Sequence, residues 1–235
     1  MKQPVFRRIL LKLSGEALSG DKDFGIDDKY VINLCRQIKA VHDLGVQIGI
    51  VVGGGNFWRG RSSAGMNRVT ADHMGMLATT MNSLALSDSL QQLGVEAIVM
   101  GAVEIRSIVE ANTSKKAIDS LNKGCIVIFA GGTGNPFFST DTAAALRAAE
   151  IEAEVVFKAT NVDGVYDSDP KCNPAAKRYE RLTHDDVLRL KLGVMDATAA
   201  ALCRDNQLKI AVFSLQEPDN IMRMVCGENI GTLVC

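Results

Sequence analysis

Short apolar runs alternate with longer amphipathic stretches from one end of this 235-residue chain to the other. The runs are Ile9–Leu13, Val46–Val52, Ala97–Gly101, Cys125–Ala130, Glu154–Lys158, Lys209–Phe213 and Thr232–Val234. They are short and punctuated by Gly, Asp or Asn, which reads as strands buried on both faces. Between the first two, Val31, Leu34, Cys35, Ile38 and Val41 share one helical face. Ala71 to Leu93 reads as a long helix with Met74, Leu77, Met81 and Leu84 as its core-filling stripe. Asp141–Glu150 and Asp196–Asn206 complete the helical pattern. Strand–helix alternation implies parallel pairing through right-handed crossovers, with helices on both faces. The predicted fold is α/β: a three-layer α/β/α sandwich with a mostly parallel central sheet. No linker, repeat or low-complexity segment divides the chain, so residues 1–235 read as one domain.

Composition excludes several function classes. Net charge is −1 and the basic residues are scattered, so the footprint of a nucleic-acid binder is missing. The six cysteines contain no C-x-x-C pair, which argues against a zinc ribbon or thioredoxin-like motif and for reduced core thiols. The apolar run Ile9–Leu11 is broken by Lys12 and too short for a secretion signal. No stretch approaches the length of a membrane span. A cytoplasmic protein without membrane contact is expected.

Three loops carry the chemistry. The first strand runs into Lys12-Leu13-Ser14-Gly15, the second into Gly53-Gly54-Gly55-Asn56, and the fourth into "AGGTGNPFFSTDTAAA". In a parallel sheet all three leave the carboxyl edge, where ligands bind in such folds. Glycines beside small hydroxyl and amide residues suit exposed N–H groups converging on anionic oxygens. The third loop enters a helix, with Ser139 or Thr140 fit to cap it and free amides left to face a phosphate. The common phosphate motifs fail. Gly15 and Gly20 have Walker spacing, but Asp21-Lys22-Asp23 follows where lysine and a hydroxyl are needed. The glycine triplet lacks the last glycine of a dinucleotide fingerprint, and the protein-kinase motifs are missing.

"LLKLSGEAL", "VVGGGNFWRG", "MNRVTADHMGML", "GGTGNPFFSTDTAAALRA" and "FKATNVDGVYDSDP" together resemble the amino acid kinase superfamily. Within it the chain is similar to the bacterial-type UMP kinases (uridylate kinases), over nearly its whole length from Arg8 to Val234. The resemblance implies transfer of the ATP γ-phosphate to UMP, giving UDP and ADP. Such transfer needs positioning and charge neutralisation rather than a general base, because the accepting phosphate is already anionic. No histidine is required, and none stands out.

Site residues follow from the motifs. Lys12 ends an otherwise apolar strand, a poor place for a charge unless an anion meets it; Lys158 does the same. Lys12, Leu13, Ser14, Gly15, Gly55 and Arg59 fall on the donor phosphates, with Arg59 spanning donor and acceptor. Thr160, Asn161, Tyr166 and Asp169 resemble the family's adenine and ribose contacts. Gly54, Asp72, Thr133, Gly134, Asn135, Pro136, Phe137, Phe138, Ser139 and Thr140 fall on the acceptor, with Asp72 on the ribose hydroxyls and Asn135 and Thr140 on the uracil edge. Phe137 and Phe138 suit packing as well as stacking. Asp141 complements a helix dipole and, by resemblance, organises the lysines, which makes Lys12, Arg59, Asp141 and Lys158 the expected catalytic group. Magnesium enters with ATP, held by phosphates and water, and no all-protein metal cage is visible; Asp196 stands near it or simply starts a helix. The segment Gly20, Asp21, Lys22, Asp23, Phe24, Gly25 matches the family's GTP-activation segment. UTP inhibition and a homohexamer are implied too. Other readings are a carboxylate or carbamate kinase of the same superfamily and a nucleotide sensor without turnover; the full transfer apparatus disfavours the sensor.

Overall fold

The computed structural model describes residues 3–58, 65–170, 172–173 and 175–235. Its strands are β1 (Arg8–Leu13), β2 (Gln47–Val52), β3 (Ala97–Gly101), β4 (Glu110–Ala111), β5 (Ile126–Ala130), β6 (Val155–Thr160), β7 (Val165–Tyr166), β8 (Arg178–Tyr179), β9 (Arg181–Leu182), β10 (Lys209–Ser214) and β11 (Thr232–Val234). Its helices are α1 (Glu16–Ser19), α2 (Asp28–His42), α3 (Arg68–Gln92), α4 (Ser114–Asn122), α5 (Thr140–Glu150), α6 (His184–Arg189), α7 (Ala197–Asp205) and α8 (Asn220–Val225). Nine strands form one sheet in the order β4-β3-β5-β2-β1-β6-β10-β11-β9, parallel throughout except for the β10–β11 pair. A small β7–β8 hairpin stands apart. All seven strands expected from sequence are present, and so are the four helices.

Two cores follow from strand alternation. Ile9, Leu11 and Leu13 of β1 pack with α2 and α8, while Leu10 faces the other way among the alanines of α5. Those alanines (Ala143, Ala144, Ala145 and Ala148) let α5 lie close against the sheet, close enough that a Cβ on Gly49 would meet Ile151 Cδ1 at 2.7 Å.

One expectation is corrected. Met74, Leu77, Met81 and Leu84 do not fill the core; they are exposed along α3. The buried face is made of Ala71, Ala78, Thr79, Asn82, Ser83 and Ser87 with Leu86 and Leu90. Small residues are needed there because α3 passes the glycine triplet, where a Cβ on Gly54 would sit 2.8 Å from that of Ala78. Hydrophobicity alone picked the wrong face. Among the described residues no helix is long and apolar enough to cross a membrane.

Candidate active site

The four adjacent strands β5, β2, β1 and β6 all end at one edge of the sheet. Chain direction reverses its march there: β2 lies on one side of β1 and β6 on the other, which opens a crevice at the strand ends. Register then does something the linear sequence hides. Lys12 of β1 and Lys158 of β6 are paired neighbours. By alternation both side chains lie on the face covered by α5, one beside Leu10, the other beside Val156.

Two buried ammonium groups side by side repel each other strongly unless an anion is shared. Asp141, in the first turn of α5, is that anion. Its Oδ1 lies 2.8 Å from Lys12 Nζ and its Oδ2 accepts from Lys158 Nζ at 2.6 Å, with all three side chains no more than 16% exposed. Burial pushes the Asp141 carboxyl up, but the two lysines more than offset this and hold it below the usual carboxylate range. Burial lowers the Lys158 ammonium, with Asp141 opposing the shift and Lys12 adding to it. The cluster carries one net positive charge, held rigidly at the strand edge.

Backbone groups converge on the same place. Gly15 fits only without a side chain, since a Cβ there would meet Gly55 N and Asn56 Oδ1 at 2.6 Å. The N–H groups of Gly54 and Gly55 meet no protein acceptor among the described residues. Ser139 caps α5, its Oγ accepting from Asp141 N at 3.0 Å and Thr142 N at 3.2 Å. Asp196 caps α7 by accepting from Ala199 N, and also accepts from Ser139 Oγ and from Thr142 Oγ1, so one carboxylate ties the starts of both helices. This is the helix-start role of Asp196.

A cleft opens on each side of the charged cluster. One is lined by Gly54, Asp72, Thr133, Asn135, Phe138 and Thr140 among others. The second includes Lys158, Thr160, Tyr166 and Asp169 and is walled opposite by 190–194. Since Thr140 lines the first, Lys158 lines the second, and Asp141 joins them, a group passing between the clefts crosses the lysines.

A family model described as the amino acid kinase family matches residues 7–214. The chain belongs to the amino acid kinase family. Its fold is similar to that of a UMP kinase from Bacillus anthracis, with 39% identity, a TM-score of 0.95 and coverage of 97% of this chain and 96% of the other. A UMP kinase from Ureaplasma parvum matches with 40% identity, a TM-score of 0.92 and coverage of 100% and 99%. A uridylate kinase from Archaeoglobus fulgidus is more distant, at 29% identity, a TM-score of 0.73 and coverage of 97% and 99%.

Within this amino acid kinase the sequence-derived residues divide. Lys12, Ser14, Gly15, Gly55, Asp141 and Lys158 come together at the strand edge, while Leu13 is buried beneath it. Gly54, Asp72, Thr133, Asn135, Phe138, Ser139 and Thr140 line the first cleft. Gly134, Pro136 and Phe137 shape the loop without lining it: Gly134 (φ +80°) packs on Ala102, and exposed Phe137 (φ +72°) lies under the Arg68 guanidinium at 5.6 Å. Asp72 accepts from Phe137 N at 2.8 Å and, through both oxygens, from Arg68 Nε at 2.9 Å. It therefore fastens the loop to α3. Thr160, Tyr166 and Asp169 line the second cleft and exposed Asn161 stands outside the lining. Gly20, Asp21, Lys22, Asp23, Phe24 and Gly25 form a loop near the triplet, with Lys22 Nζ donating to Ile26 O at 2.8 Å and Phe24 edge-on to Phe57 at 5.4 Å. Arg59 lies outside the described residues.

The sequence assigns no role to several residues. Trp58 lines the first cleft and donates from Nε1 to Ala71 O at 2.9 Å, bracing α3 beside Asp72. Thr79 accepts from Gly131 N at 2.9 Å, fixing a residue at φ +76°. The wall at 190–194 has no motif to betray it.

Proposed function

We propose that the protein is a UMP kinase: it transfers the γ-phosphate of MgATP to UMP and releases UDP and ADP. The observation that carries this is the Lys12–Asp141–Lys158 cluster standing between two clefts. Two fixed ammonium groups meet the phosphates in transit, while Asp141 pairs with both and holds them in place. The accepting oxygen is already anionic, so no side chain has to remove a proton. MgATP occupies the cleft between β6 and residues 190–194, its phosphates reaching Ser14, Gly15 and Gly55, and the metal arrives as part of that substrate. UMP occupies the other, ribose toward Asp72 and base toward Asn135 and Thr140. Arg59 spans both phosphate groups. The likeness to UMP kinases at 39% and 40% identity supports the choice of acceptor. A coupled ADP-release assay across UMP, CMP, dCMP, carbamate and aspartate tests it. UMP should be preferred; release that follows carbamate or aspartate instead identifies another kinase of the family, and none with any acceptor identifies a sensor.

The same reading extends to assembly and control. The enzyme is a cytoplasmic homohexamer, and the exposed apolar stripe of α3 supports contact between copies. UTP inhibits by presenting uracil and ribose to the UMP cleft while its extra phosphates reach the donor loops. GTP activates through the Gly20–Gly25 loop.

Asp72 should act in binding rather than turnover. Asp72→Asn keeps the shape but weakens every hydrogen bond the carboxylate accepts. KM for UMP should rise about tenfold or more, with KM for ATP little changed. An equal rise for both substrates would reassign Asp72 to the fold.

A further inference from the structure

Away from the charged cluster, two buried amides face each other beneath the glycine triplet. Asn82 Nδ2 donates to Asn56 Oδ1 at 2.7 Å, and Asn56 Nδ2 returns a bond to Asn82 Oδ1 at 2.9 Å. Each amide spends its second hydrogen on a backbone carbonyl: Asn82 on Gly53 O at 2.7 Å, Asn56 on Gly25 O at 2.8 Å. Both outer partners are carbonyl oxygens, which settles the nitrogen end of each amide. The side chains are 0% and 3% exposed. Apolar residues in their place would leave the Gly53 and Gly25 carbonyls without these donors, so the pair serves the backbone around the triplet rather than merely filling space.

What the pair holds is the peptide between Gly53 and Gly54. That peptide is trans, so the Gly54 N–H points opposite to the Gly53 carbonyl. With the carbonyl drawn onto α3 by Asn82, the N–H turns away from α3, and no protein acceptor meets it among the described residues. Neither flanking residue has a Cβ, so this peptide meets little steric resistance to turning over. Turned over, it would offer a carbonyl oxygen to an incoming phosphate in place of a donor.

We propose that Asn82, braced by Asn56, is a positioning residue that locks the Gly53–Gly54 peptide with its N–H toward the acceptor phosphate. The proposal rests on the reading of the first cleft as the acceptor site. Asn56 extends the brace to Gly25, whose N–H donates back to Asn56 O at 3.0 Å, so the 20–25 loop is clipped to the triplet from both sides.

Two variants test the lock. Asn82→Ala removes it, and kcat/KM for UMP should fall on the order of 10²-fold, the scale seen when one oriented donor to a developing anion is lost. KM for ATP should move less. Asn82→Asp keeps the shape: ionised, its carboxylate repels Gly53 O; protonated, it donates again. A buried carboxyl titrates above its usual range, so activity relative to wild type should recover as pH falls. A residue that only supports the fold would show no such recovery, and this variant decides the matter if the alanine protein does not fold. A crystal structure of Asn82→Ala reads the peptide plane whatever the substrate is. A turned or doubly populated peptide supports the lock. A retained plane overturns it, as does wild-type kcat/KM, or an Asp variant whose relative activity ignores pH. If wild type does not phosphorylate UMP, the acceptor assignment fails while the peptide plane still decides the lock.

Discussion

Asp141→Asn should lower kcat on the order of 10²- to 10³-fold while KM for UMP changes much less. Among the described residues the Asp141 carboxylate alone bonds both lysines, and removing its charge leaves two buried ammonium groups with no anion between them. Burial already lowers the Lys158 ammonium; without Asp141 the opposing attraction disappears and the shift grows. Lys158 then gives up its proton more readily than in wild type. A lysine with a lowered pKa is charged below it and neutral above it, so the variant's residual kcat should decline with rising pH at lower pH than in wild type. Wild type should hold its rate to higher pH. A parallel drop at all pH values would mean that Asp141 only starts α5.

Lys12→Ala should cost kcat on a similar scale, roughly 10²-fold or more, for a different reason. The variant keeps the Asp141–Lys158 pair, which is neutral overall, so the cluster loses its net positive charge. Transition-state charge on the transferred group then goes unanswered at that point. Because the interaction strengthens as the phosphoryl group moves, the loss should fall on kcat rather than on KM for ATP. Lys12→Arg should recover little, because a planar fork on a longer stem does not place its charge as a compact ammonium does. Unchanged kcat in the alanine variant would remove Lys12 from the machinery.

How much of this was legible in the sequence depends on range. Buried parallel strands announce themselves as short apolar runs, and a lysine at the end of such a run is conspicuous, so Lys12 and Lys158 stood out separately. That they are register partners did not, because pairing across 146 positions is a tertiary fact (158 − 12). Asp141 was placed at a helix start by a local signal, and its role between the lysines came from the family resemblance. Asn82 was invisible: a lone asparagine in a helix reads as an outward polar residue until α3 is laid against the triplet. The α3 stripe misled for the same reason, since the helix turned its small residues inward. Short elements such as α6, α8 and the β7–β8 hairpin carry too few periods to register, and their placement comes from packing.

The most direct test of the central claim, that the phosphoryl group passes straight from one nucleotide to the other through the lysine cluster, is stereochemical. With ATP made chiral at its γ-phosphorus by oxygen isotopes and UMP as acceptor, the UDP product should show inverted configuration, the signature of a single in-line displacement. Retention would require two displacements through a phosphorylated side chain, and would contradict the account.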